Sequence, residues 1–113
     1  MKANKQRIHS RYTKDAASLL GKHIQLSRKE RKLTEMDLAD RAGISRATLR
    51  KIEKGDPKCE IGLYFEVAVI VGVPLFQVGT DSNFTMDLDR INNKIALLPK
   101  TIHKKKKEVD DAF

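Results

Sequence analysis

With 113 residues, 40% of them apolar and 34% charged, the chain can close one modest hydrophobic core and not two. Its 23 basic residues outnumber 15 acidic ones, a formal charge of +8 that favours a polyanionic partner, either nucleic acid or an anionic membrane surface. A single cysteine (Cys59) argues against a disulfide framework, three scattered histidines (His9, His23, His103) argue against a zinc finger, and the longest apolar run, 67–71, is too short to cross a bilayer.

Residues 1–16 carry Lys2, Lys5, Arg7, Arg11 and Lys14 against Asp15 alone. They show no apolar periodicity, and a flexible basic arm is expected. No apolar stretch follows this start, so it does not read as a secretory signal, and a reducing, cytoplasmic setting is expected. Residues 17–79 form the dense domain, 80–99 an extension that begins on a polar link, and 100–113 a basic tail with Lys104 to Lys107 followed by Glu108, Val109, Asp110 and Asp111. Such a tail cannot build a core.

Within the dense domain, Leu20, Ile24, Ser27 and Arg31 mark one face of a helix over 16–32. Thr34, with Asp37 three residues on, forms a capping-box signature for a second helix ending at Ala42, and Leu38, Ala39 and Ala42 face inward. Gly43 stops it. Ser45 is the N-cap of a third helix that runs to Lys54 and ends at Gly55, before an Asp56-Pro57 turn. A fourth helix over 60–71 is apolar nearly all round, which predicts burial by more than one neighbour, although its β-branched residues leave a strand open. Pro74 suits the first turn of a short fifth helix over 74–78. In the extension, Phe84, Leu88, Ile91, Ile95 and Leu98 keep helical spacing.

The segment LTEMDLADRAGISRATLRKIEKG, residues 33–55, carries the functional signal. Two short helices meet across a four-residue turn containing Gly43. Small Ala39 lets them approach, and Ile44, Leu49 and Ile52 anchor the second. This is the helix-turn-helix arrangement, whose second helix enters the DNA major groove. Ser45, Arg46, Ala47, Arg50, Lys51 and Lys54 fall on the face opposite Leu49 and Ile52. Arg46 suits the paired acceptors of guanine, and Ala47 a thymine methyl. Arg50 and Lys51 suit bases or phosphates, while Thr48 and the amides near Ser45 suit phosphate. The plainer alternative is a solvated cationic face.

The strings LGKHIQLSRKERK, LTEMDLADRAGIS and IEKG resemble the Xre-type helix-turn-helix family over roughly Leu20 to Val78. The resemblance implies an all-α, five-helix lambda-repressor-like domain, here with a helical extension and a basic tail. It also implies a regulator of double-stranded DNA that binds an inverted-repeat operator as a two-fold homodimer. Arg28 and Glu53 stand where this family pairs its first and third helices, so the resemblance implies a partly buried ion pair. Glu35 stands where many relatives carry a phosphate-touching glutamine, and a carboxylate there repels DNA while suiting the helix dipole.

GDPKCEIGLY, LPKTIHKKKK and the closing VDDAF resemble HipB-type antitoxins. These are repressors encoded beside a HipA-like serine/threonine kinase toxin, so the resemblance implies autorepression of a toxin–antitoxin operon and a complex with the kinase, in some systems with a third small protein. A stand-alone regulator, or a kinase-binding module with little DNA binding, remains open. The lysine run could wrap DNA phosphates, meet an acidic face of the kinase or stay solvated, and Phe113 could be an aromatic anchor. Catalysis finds no support. Asp87 and Asp89 diverge on a helix, His23 reads as a surface residue, Cys59 as a small residue near a helix start, and phosphate-loop glycines are missing. A non-enzyme without cofactor or metal, away from membranes, is expected.

Overall fold

The computed structural model describes residues 8–76 and 83–104. Among these, five α-helices and no strand occur: α1 (Arg11–Glu30), α2 (Glu35–Ala42), α3 (Arg46–Glu53), α4 (Ile61–Val71) and α5 (Phe84–Ala96). The chain divides into two units, Met1–Phe76 and Gln77–Phe113, so α1 to α4 belong to the first and α5 to the second. This is the expected all-α helix-turn-helix fold, with the fifth helix lying in the extension.

Helix α1 begins at Arg11, five residues before the expected start, so 11–16 are not an arm. The Ser10 side chain accepts a hydrogen bond from the Thr13 N–H and caps the helix. Residues 11–16 are all exposed, so no apolar periodicity announces them. The helix stops at Glu30 because Lys32 turns into the left-handed region (φ 60°), and the Leu33 N–H bonds back to the Arg28 carbonyl at 3.1 Å.

The buried face of α1 is Gly21, Ile24 and Arg28, not the expected line through Ser27 and Arg31. Gly21 is set by close approach. A Cβ there would strike the Ile52 carbonyl oxygen and lie 2.8 Å from that of Glu53. Gly55 answers from the other side: it has φ 81°, and a Cβ would strike the Ser18 backbone. The end of α3 is thereby seated directly on the α1 backbone.

Helix α2 carries the full capping box. The Thr34 hydroxyl accepts from the Asp37 N–H, and the Asp37 carboxylate accepts from the Thr34 N–H, both at 3.0 Å. The Thr34 N–H, and after it the Thr34 hydroxyl, holds the Asp37 carboxyl below its ordinary range. Gly43, at φ 70°, closes the helix, and the turn to α3 is three residues, 43–45, one fewer than expected.

The core joins Ile24, Leu38, Ala39, Leu49 and Ile52 to Tyr64, Val67, Ala68, Val71 and Val73. Helix α3 rests on α1 and α2, and α4 rests on the same two. Helix α4 is buried on one side only, because Ile61 and Val69 are exposed. Its uniformly apolar sequence therefore overstates its cover.

The expected helix over 74–78 does not form in its described part: residue 74 is irregular, 75–76 make a bend, and 77–78 lie outside the described residues. Gly72 closes α4 in the left-handed conformation, and the Val73 N–H bonds back to the Ala68 carbonyl at 2.9 Å. Val73 then enters the core. A residue before proline avoids helical geometry, and Val73 offers no side-chain cap. Phe76 instead meets Phe65 edge-on, with centroids 6.3 Å apart.

In the second unit, Asn83 caps α5 by accepting from the Met86 N–H, and no residue of the helix is buried. No helix among the described residues is long and apolar enough to cross a membrane. The expectations for 1–7, for residues 79–82 of the polar link (79–83) and for 105–113, Phe113 included, fall outside the described residues.

Candidate nucleic-acid interface

Helix α3 is built to be held from behind and shown in front. The Ser45 hydroxyl accepts from the Thr48 N–H at 3.0 Å and meets the Thr48 hydroxyl at 2.9 Å, fixing the first turn. Leu49 and Ile52 are fully buried in the core. The opposite face carries Ser45, Arg46, Ala47, Arg50, Lys51 and Lys54, all exposed, with Thr48 half-buried at its edge. The structure thus brings every residue singled out on this helix to one outward surface.

Arg28 and Glu53 meet inside the unit. Arg28 donates from Nε to Glu53 Oε2 at 2.7 Å and from a terminal nitrogen to Oε1 at 3.0 Å. Its other terminal nitrogen donates to the Leu33 carbonyl at 3.0 Å. Both residues are buried. The bond to Glu53 raises the Arg28 pKa against the opposing effect of burial. One guanidinium thus ties α1, the α1–α2 link and α3 together, and such a two-pronged bond fixes orientation as well as distance. Every buried side-chain nitrogen and oxygen among the described residues has a hydrogen-bond partner.

Glu35, the first residue of α2, reaches across the turn to α3. Its Oε1 accepts from Arg46 Nε and from Arg50 Nε, each at 3.0 Å. The Arg46 and Arg50 side chains stay half-exposed, 49% and 52%, while that of Glu35 is 27% exposed. The two bonds, that of Arg46 first, hold the Glu35 carboxyl below its ordinary range. Lys22, Gln25 and Lys54 share a shallow depression with Glu35, Arg50 and Glu53.

A second depression flanks the far end of α3 and is lined by His9, Lys14, Ser18, Lys51, Lys54, Asp56 and Lys58, among others. It adds Lys14 and Lys58 to the cationic surface. Sequence spacing gave no reason to join them to α3, because Lys14 comes from the α1 segment read as an arm and Lys58 from the loop after Gly55. In that loop the Lys58 N–H bonds to Asp56 Oδ1 at 2.9 Å, which shapes the turn.

The remaining chemical candidates do not assemble. Among the described residues no group of three or more His, Cys, Asp or Glu side chains could hold a metal ion. His23 is exposed. Cys59 is half-buried, and burial, then the nearby Asp56 charge, pushes its thiol pKa up, away from a reactive thiolate.

Residues 24–75 match the family model described as helix-turn-helix. The matched stretch contains Ile24 and Arg28 of the buried face of α1 and the whole of α2, α3 and α4. It is a helix-turn-helix domain, the kind of module found in DNA-binding transcription regulators and not typically in enzymes. No match was found among curated proteins or among solved structures.

Proposed function

We propose that this chain is a sequence-specific transcription regulator that reads duplex DNA with α3. The observation that carries this is the split character of α3: Leu49, Ile52 and Glu53 are buried, while Arg46, Ala47, Arg50, Lys51 and Lys54 stand on the open face. Arg46 and Arg50 read base edges, and Ala47 offers a methyl contact. The Thr48 edge and the Ser45 amides, with Lys14, Lys51, Lys54 and Lys58 farther along, meet phosphates. The +8 charge adds affinity without sequence choice.

The regulator works in the cytoplasm as a two-fold homodimer on an inverted repeat. Leu88, Ile91 and Ile95 of α5, all exposed and at helical spacing, supply the face that a second copy covers. The finer reading is an autorepressing antitoxin partnered with a HipA-like kinase, with or without a third small protein. It is supported by the resemblance of 98–113 to HipB-type antitoxins, and recovery of the neighbouring reading frame's kinase with the chain tests it. Its competitor is a stand-alone regulator, which recovery of the chain without that kinase supports.

Selection of the full chain on a randomised duplex library tests the main reading. Enrichment of an inverted repeat with half-site centres about one helical turn apart is expected. Arg46→Ala should relax the choice at one base pair, whereas Lys104→Ala should weaken all duplexes alike. Equal retention of every sequence would overturn the reading.

A further inference from the structure

We propose that Glu35 is a specificity-determining residue: its carboxylate holds Arg46 and Arg50 side by side, so that their guanidinium ends read two guanines of each half-site. The inference rests on the DNA-reading function proposed for α3.

The atoms used are informative. Glu35 takes only the Nε proton of each arginine, both on the single oxygen Oε1 at 3.0 Å. The terminal nitrogens of Arg46 and Arg50 have no acceptor among the described residues. They form the end-on fork that matches O6 and N7 of guanine. The two arginines lie four residues apart on one helix, which separates them by about 6 Å along its axis. That is close to two base-pair steps of about 3.4 Å. The forks therefore address two nearby base pairs and not the same one.

The same carboxylate changes what the pair does on the wrong DNA. Unheld, two half-exposed arginines swing to the nearest phosphates, a contact blind to sequence. Held by Glu35, the cluster carries one net positive charge instead of two, and its carboxylate is repelled by the phosphate backbone. Non-specific affinity falls. The side-chain freedom of two long arginines is also spent before binding, so less is lost when a matched site is met. Lys22 and Lys54, which border the same depression, stay available for the backbone.

The test uses the full chain, its Glu35→Gln and Glu35→Ala variants, and Arg50→Lys. Each is selected on the randomised duplex library, and each is then titrated by fluorescence anisotropy on the best wild-type duplex and on a scrambled duplex at several salt concentrations. The wild type should select two guanines within a few base pairs in each half-site. Glu35→Ala should raise affinity for the scrambled duplex and lower the matched-to-scrambled ratio by about tenfold or more. It should also steepen the salt slope on the scrambled duplex by about one unit for each arginine released to phosphate. Glu35→Gln, which keeps one acceptor, should fall between. Arg50→Lys should lose the preference at one guanine and keep the other.

Equal gains on both duplexes with an unchanged ratio would reduce Glu35 to simple charge repulsion and overturn the proposal. So would equal losses on both duplexes that follow a fall in melting temperature. A wild type with clear sequence preference but no guanine pair would overturn the Glu35 assignment and leave the DNA-reading function standing. A wild type without any preference would overturn both.

Discussion

The two units of this chain use similar residues to opposite ends. In the first, ten of the described apolar residues are buried in one core. In the second, α5 carries Leu88, Ile91 and Ile95 at helical spacing, yet none of its residues is buried. Each unit also contains an arginine–carboxylate pair. Arg28 and Glu53 are buried and doubly bonded, whereas Arg90 and Asp87 form an exposed pair three residues apart at 2.6 Å. The first unit owns the interactions that make a helix stay folded. A helix of 13 residues such as α5 is marginal by itself in water. Its apolar stripe needs cover, which is why the homodimer proposal assigns that face to a second copy.

The sharpest way to break this contrast is to cut both arginine pairs. Glu53→Ala leaves a buried, uncompensated guanidinium, a loss of about 3–5 kcal/mol. Thermal melting followed by circular dichroism should show a fall of more than 10 °C, at about 4–8 °C per kcal/mol for a domain of this size. Asp87→Ala removes a surface pair worth about 0.5 kcal/mol or less, and the melting curve should move by no more than a few degrees. Equal effects would mean that the two pairs do the same job, and the division drawn between the units would fail.

A smaller effect is expected at Tyr64. This side chain is buried on α4, and its hydroxyl donates to the Asp56 carbonyl at 2.7 Å, tying the loop after α3 to the core. Burial, then the charges of Cys59 and Asp56, pushes its phenol pKa up from the ordinary 10. The folded state therefore keeps its proton where the unfolded state gives it up. The resulting stabilisation is present in full below the ordinary tyrosine value, and it is lost progressively as pH rises above it. Tyr64→Phe should cost about 1–2 kcal/mol at neutral pH, the loss of a buried bond with one partner left unmet. Above pH 10 the gap to the wild type should narrow. Melting temperatures between pH 7 and 11 check both, and a constant gap would show that Tyr64 does not titrate with unfolding.

How far the sequence could be read divides along the same physical lines. Caps are local, and Thr34, Asp37, Gly43 and Ser45 declare themselves by residue type at fixed offsets; all four do in the structure what those offsets imply. The anchors Leu49 and Ile52 follow from helical periodicity. The start of α1 was illegible because its first turns face solvent, where periodicity carries no signal, although Ser10 was available as a cap. The Gly21–Gly55 seat was illegible for another reason. Two glycines 34 positions apart in the chain say nothing of meeting until α1 and α3 are placed together. Glu35 was read only as a carboxylate that suits the helix dipole and repels DNA, and nothing in its spacing named a partner. Its real partners are 11 and 15 residues away, across the turn. The bend over 75–76 shows the converse. A proline compatible with a helix start does not make one when the preceding residue is drawn into the core.

The finest comparison is between two N-caps with the same hydrogen-bond pattern. Ser45 accepts from Thr48 at 3.0 Å to start α3, and Asn83 accepts from Met86 at 2.9 Å to start α5. Either change to alanine removes one capping bond worth about 1 kcal/mol. In α3 that loss is shared by the whole cooperative unit, because the helix is fastened to the core through Leu49, Ile52 and Glu53. Ser45→Ala should lower the melting temperature by about 4–8 °C. It should also weaken DNA binding, since the freed first turn carries Arg46. In α5 no buried residue couples the cap to a core. Asn83→Ala should therefore reduce helical signal without moving the main transition, by circular dichroism at low protein concentration. As concentration rises and the second copy covers the α5 face, the Asn83 cap should begin to count, and the melting temperature of Asn83→Ala should fall behind that of the wild type. A deficit that is the same at every concentration would mean that α5 is stabilised within one chain, and the face formed by Leu88, Ile91 and Ile95 would no longer call for a partner.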